Sequence, residues 1–133
     1  MRLGYVLLYV EDVLASVDFY ERAFGLTRRM VAPAEPGEAA DYAEMDTGAT
    51  ALGFVTHTLA ESNGVSYARP TADGPAPAVE VALVTDDVAG AFARATDAGA
   101  EAVVSPQTKP WGQTVAYVRD RDGFLVELCS PMG

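Results

Sequence analysis

The sequence predicts an α+β fold made of two tandem βαβββ modules, and three observations predict it. The first is an internal repeat. Leu8-Tyr9-Val10-Glu11-Asp12-Val13 resembles Leu83-Val84-Thr85-Asp86-Asp87-Val88, and a shift of 75 (87 − 12) superposes Asp12 on Asp87. Gly25 then falls near Gly99 at a shift of 74 (99 − 25), so one residue is lost within the intervening helix. A period this long, seen twice, points to duplication of a module rather than to a solenoid. The second observation is a pair of helices with matching end signals, and the third is turn chemistry recurring after each helix.

Each element has a local reason. Leu3 to Val10 is apolar and β-branched, as a strand requires. Asp12 can N-cap the helix that follows. Val13, Val17, Tyr20 and Phe24 are spaced four, three and four apart, which puts them on one helical face. Gly25 suits the left-handed residue that ends the helix. In the second copy Asp87 caps, Val88, Phe92 and Ala95 line the face, and Gly99 terminates. Three shorter strands are expected after each helix: about Leu26 to Val31, Asp41 to Met45 and Thr50 to His57, then about Ala102 to Val104, Gln113 to Arg119 and Phe124 to Ser130. The turns Ala34-Glu35-Pro36-Gly37, Asp46-Thr47-Gly48 and Asp120-Arg121-Asp122-Gly123 carry suitable residues. Leu59 to Pro77, rich in Pro, Gly, Ala and Ser, reads as a linker. The expected organisation is one domain over 1–133, with module one at about 1–58, the linker at about 59–77 and module two at about 78–133.

Composition excludes several function classes. Nine Lys and Arg face 19 Asp and Glu, a formal charge of −10. Such a surface repels phosphate backbones and anionic lipid, so neither nucleic acid nor membrane is an expected partner. Cys129 is the single cysteine and leaves no intrachain disulfide. Glu11 and Asp12 interrupt the first apolar run, which therefore reads as a strand rather than a signal peptide. A reducing cytoplasm is the expected location. The sequence carries no phosphate-binding glycine loop, paired-cysteine motif or G-x-S-x-G elbow. Arg28 and Arg29 in the second strand read as edge charges.

Two segments carry a family resemblance. Ser16-Val17-Asp18-Phe19-Tyr20-Glu21-Arg22-Ala23-Phe24-Gly25-Leu26 resembles the "S-x-x-F-Y-x-x-x-L-G-L" first helix of the vicinal oxygen chelate superfamily, which comprises glyoxalase I, extradiol dioxygenases and bleomycin-type resistance proteins. Phe24 stands where that pattern has Leu. Asp120-Arg121-Asp122-Gly123-Phe124-Leu125-Val126-Glu127-Leu128 is similar to its "D-P-D-G-x-x-x-E-L" final hairpin, with Arg121 in place of Pro. The resemblance implies the glyoxalase/bleomycin resistance/dioxygenase fold, in which two βαβββ modules curl into a mixed-sheet cup that holds a metal or a drug-sized ligand. It also implies a homodimer with sites between subunits.

Metal-using members take two ligands from first strands and two from last strands. The resemblance carries these onto Tyr5 and Glu80, 75 apart, and Gly53 and Glu127, 74 apart, matching the shifts already fixed by the repeat. The set is poor for a transition metal. Gly53 has no side chain, and Tyr5 is a phenol, protonated at neutral pH. Glu80 and Glu127 alone could hold one divalent ion weakly, through waters. His57, the single histidine, lies four residues beyond Gly53 on the same strand, roughly 13 Å along an extended chain. It is expected to be a strand-end residue near solvent.

The rest of the expected cup is aromatic and open. Tyr5, Leu7 and Tyr9 alternate onto one strand face, as do Ala51, Gly53, Val55 and His57. Trp111, in Lys109-Pro110-Trp111-Gly112-Gln113, resembles the "W-G-Q" stretch of mitomycin- and bleomycin-binding members, where aromatic rings clamp planar drugs. Two readings stay open. One is a metal-independent, cofactor-free protein that sequesters a hydrophobic or planar aromatic compound such as an antibiotic, with Tyr5, Leu7, Tyr9, Gly53, Val55, Glu80, Trp111 and Glu127 around it. The other is an enzyme, a divalent-metal lyase, isomerase or dioxygenase using Glu80 and Glu127. Site chemistry favours the first.

Overall fold

A computed structural model describes residues 1–33 and 39–132. The chain divides into two compact units, one of Met1–Glu21 with Gly25–Arg69, the other of Arg22–Phe24 with Pro70–Gly133. The first unit runs β1 (Tyr5–Val10), all but the last three residues of α1 (Val13–Phe24), β2 (Thr27–Ala32), β3 (Tyr42–Asp46), β4 (Ala51–Thr56) and α2 (His57–Ser62). The second runs β5 (Glu80–Val84), α3 (Val88–Asp97), β6 (Glu101–Thr108), β7 (Thr114–Arg119) and β8 (Leu125–Cys129). The two four-stranded sheets have the orders β1-β4-β3-β2 and β5-β8-β7-β6. In each, the first and last strands of the module pair parallel and the remaining pairs are antiparallel.

The helix signals act as expected. The Asp12 side chain accepts from the Ala15 amide at 3.0 Å, and Asp87 accepts from the Gly90 amide at 2.9 Å. Each satisfies one of the amides that a helix start leaves open. Gly25 ends α1 in the left-handed conformation, with φ of 70°. Val13, Val17 and Tyr20 are buried, and the Tyr20 ring meets Phe54 of β4 at 4.9 Å. That contact seats α1 on the face formed by Leu8, Val10, Ala43, Met45, Leu52 and Phe54, all buried. In the second unit α3 packs on β6, β7 and β8. The final turn is tied by Asp120, whose carboxylate accepts from the Asp122 amide at 3.0 Å and the Phe124 amide at 2.9 Å.

Three expectations change. First, β4 stops at Thr56, because the Thr56 hydroxyl accepts from the Leu59 amide at 3.2 Å and caps a new helix. His57 therefore opens α2 instead of ending a strand. It leaves the row of Ala51, Gly53 and Val55, and it is buried, only 4% exposed, not near solvent. Second, α2 takes in Leu59 to Ser62, the first residues of the expected linker. Third, β6 runs from Glu101 to Thr108, well past Val104. Two register breaks, at Ala102/Val104 and Val104/Gln107, interrupt its alternation and hide its length in the sequence. Pro106 fits there because β6 is an edge strand. The expected turn Ala34-Glu35-Pro36-Gly37 lies outside the described residues. Arg28, on edge strand β2, pairs with Glu21 at 2.8 Å. No helix among the described residues is long and apolar enough to cross a membrane.

Candidate functional site

The pairing registers fix which side chains share a sheet face. In the first unit Leu7 pairs with Gly53, Tyr5 with Ala51 and Tyr9 with Val55. In the second, Ala82 pairs with Glu127 and Glu80 with Leu125. Adding 75 to the first-strand members and 74 to the last-strand members converts one set into the other, so Tyr5 corresponds to Glu80 and Gly53 to Glu127. Within its own unit each set lies on the face opposite the packed helix, where alternation puts every second residue.

On the first of these faces Tyr5 is 57% exposed, Leu7 and Tyr9 are half-buried, and Gly53 and Val55 are buried. Leu7 covers the glycine: a Cβ built at Gly53 would stand 2.6 Å from Leu7 Cδ2 and 3.1 Å from the Ala43 carbonyl oxygen. Gly53 is opposed across the sheet by Glu44, which the strand assignment of Asp41 to Met45 contained but did not single out. The Tyr42 hydroxyl donates to Glu44 Oε2 at 2.5 Å, and Arg29 Nε lies 3.9 Å from the other oxygen. Burial first, and then the bond to Glu44, push the Tyr42 phenol above the usual range.

On the second face Glu127 accepts from the Tyr117 hydroxyl at 2.7 Å. That bond and burial push the Tyr117 phenol up to about 12. Burial, then the nearby Glu127 charge, raise the Glu80 carboxyl above its ordinary value. The Glu80 carboxyl thus responds to Glu127 as to a neighbouring like charge. Cys129 is buried, and burial and Glu127 raise its thiol as well. Tyr117 is legible in retrospect, because a hairpin about the Asp120–Gly123 turn pairs Tyr117 with Glu127.

Trp111 sits in the turn between β6 and β7 and is 65% exposed. Its indole N–H donates to Gln113 Oε1 at 2.9 Å, and the Gln113 amide donates to the Ser130 carbonyl at 3.0 Å. Its ring is therefore held at the surface rather than in the core of its unit. The structure thus groups Tyr5, Leu7, Tyr9, Gly53 and Val55 on one sheet face, and Glu80 with Glu127 on another. Among the described residues no group of three or more His, Cys, Asp or Glu side chains converges as a metal site would need.

Comparison with known proteins agrees with this frame. An uncharacterised protein of Mycobacterium bovis is 29% identical over 125 residues, which cover 94% of this chain and 80% of that protein. Relatives in Mycobacterium tuberculosis match at 29% over 94% of this chain and 72% of their own length. Among solved structures, TioX from Micromonospora sp. ML1 is 29% identical, with a TM-score of 0.74 and 98% of both chains covered. A glyoxalase-related enzyme from Fulvimarina pelagi superposes with a TM-score of 0.77 at 21% identity, covering 98% of this chain and 88% of that one, a likeness of fold alone. The model of the Glyoxalase/Bleomycin resistance protein/Dioxygenase superfamily matches residues 2–128, and the chain belongs to that superfamily.

Proposed function

We propose that the protein binds a hydrophobic or planar aromatic small molecule, an antibiotic being one such compound, without using a metal. The observation that carries this reading is the chemistry of the four positions where metal-using relatives place ligands. Gly53 offers no donor and is covered by Leu7, while Tyr5 offers a phenol. Of the two carboxylates, Glu127 is already engaged by Tyr117. These residues do not fit a tightly held transition metal, which favours imidazole and thiolate donors. Broad aromatic surface remains at Tyr5, Tyr9 and Trp111, and rings of this kind recognise planar apolar ligands. In this reading Glu80 and Glu127 accept hydrogen bonds from ligand hydroxyl or amine groups. The TioX likeness and superfamily membership are compatible with such a role. A cytoplasmic homodimer with sites between subunits belongs to the same reading, and light scattering that gives the mass of a single chain would remove that part.

One observation favours the rival, a divalent-metal lyase, isomerase or dioxygenase: Glu127 is near enough to raise the Glu80 carboxyl, so two carboxylates share one sheet face. The deciding experiment is elemental analysis of protein purified without chelator, beside titration with Nile red. This planar uncharged dye avoids non-specific attraction to a chain of charge −10. The expected result is no stoichiometric metal, with dye binding that is unchanged by chelator and weakened in Trp111→Ala. Near-stoichiometric Zn, Ni, Fe or Mn that is lost in Glu127→Ala would replace this reading with the rival.

A further inference from the structure

The segment after β4 carries an aromatic residue that its sequence places in a connecting stretch. The Tyr67 ring meets Tyr9 at a centroid distance of 4.8 Å, tilted by 55°. Tyr9 stands in the row with Tyr5 and Leu7, so Tyr67 prolongs that aromatic row beyond the end of β1. Tyr67 is half-buried, which leaves part of its ring open to solvent.

His57 holds Tyr67 in place by two contacts. The Tyr67 hydroxyl meets His57 Nδ1 at 2.6 Å, and the two rings stack at 5.6 Å with 24° between their planes. The other ring nitrogen, Nε2, lies 3.6 Å from Glu11 Oε1, and Glu11 in turn lies 3.9 Å from Arg69. One ring nitrogen thus faces the phenol and the other faces the Glu11 carboxylate. The Arg69 guanidinium is anchored to Glu61, which ties down the chain just beyond Tyr67. The hydroxyl is engaged by His57, so Tyr67 presents a ligand chiefly with its ring face. Rigid rings lose little freedom on stacking, and this makes fixed aromatic pairs effective ligand walls.

We propose that Tyr67 stacks on the bound ligand as a continuation of the Tyr5–Tyr9 row, and that His57 is its positioning residue. The inference rests on the ligand-binding reading above and names the ligand class more closely: a planar ring system that lies on the Tyr67 face and meets Tyr9 with its edge, since the two rings are tilted by 55°. The test is Nile red titration of the whole chain, with circular dichroism to keep each variant within its folded range. Tyr67→Ala should weaken binding about tenfold, the loss of one stacking contact and its burial. Tyr67→Phe keeps the ring but loses its anchor, so it and His57→Gln should each weaken binding about threefold. His57→Gln combined with Tyr67→Ala should bind no worse than Tyr67→Ala alone, because His57 acts only through Tyr67. Additive losses in the double variant would make His57 merely structural and overturn its assignment. Wild-type affinity in Tyr67→Ala, alongside weakened binding in Trp111→Ala, would overturn the inference and leave the ligand-binding reading standing. Absence of dye binding by the wild-type chain would overturn both.

Discussion

Module one carries its part-buried carboxylate on β3, at Glu44 opposite Gly53, whereas module two carries its own on β8, at Glu127 opposite Tyr117. The strand orders correspond, and the registers of the parallel pairs, β1 with β4 and β5 with β8, are the same under the 75- and 74-residue shifts. In each module a tyrosine hydroxyl donates to the carboxylate, from Tyr42 two residues along the same strand in one and from Tyr117 across the hairpin in the other. The contrast separates two layers of information. Backbone pairing depends on alternation and turn geometry, which duplication copied and divergence kept. The polar pair depends only on two side chains meeting on one face, so it can move to a neighbouring strand while the ladder stays as it was.

The largest test of the shared frame is in the core. Phe54 and Leu128 are equivalent under the 74-residue shift, and both are buried. Phe54→Ala should cost about 4 kcal/mol and Leu128→Ala about 3 kcal/mol in denaturant unfolding, from lost burial plus the cavity left behind. A cost near zero for either would mean that its module's core is not packed on that residue. The next comparison divides the two turns. Asp120 is buried and accepts from two amides, whereas its equivalent Asp46 is exposed and accepts from Gly48 at 3.3 Å. Asp120→Ala should cost about 2 kcal/mol by stranding buried donors, and Asp46→Ala no more than about 0.5 kcal/mol. Equal costs would refute the contrast.

The smallest effect is a titration. Phenolate absorbance followed into alkali should show Tyr117 and Tyr42 among the last of the six tyrosines to ionise. The bond to Glu127 is the first cause at Tyr117, whereas burial is the first cause at Tyr42. Glu127→Gln should therefore bring Tyr117 back toward the ordinary phenol value more than Glu44→Gln does for Tyr42. The sign follows from the raised folded values. The stability linked to each phenol is intact below the unfolded value near about 10, and for Tyr117 it is lost as pH rises through about 12.

Much of the frame was legible because its signals are local. Asp12, Asp87 and Gly25 act within a few residues, and the shift between them was enough to place Tyr5 against Glu80 and Gly53 against Glu127. His57 was misplaced because α2 is only six residues long, too short for a hydrophobic period, and its start depends on a single Thr56 hydroxyl. Tyr67 went unnoticed because its partners, Tyr9 and His57, are set by the fold and not by neighbouring sequence. Glu44 carries no local signal of its own: its importance comes from pairing opposite Gly53 and from the Tyr42 hydroxyl, both fixed by the sheet.

The close approach of Leu7 to Gly53 also has a consequence for substitution at position 53. A Cβ at position 53 would run into the Leu7 methyl at 2.6 Å and press on the Ala43 carbonyl at 3.1 Å. A larger side chain there, a metal donor included, requires the flexible end of Leu7 to turn aside and the Ala43 carbonyl to give by a few tenths of an ångström. A donor side chain placed at position 53 should therefore be accommodated more readily when position 7 carries a residue smaller than Leu.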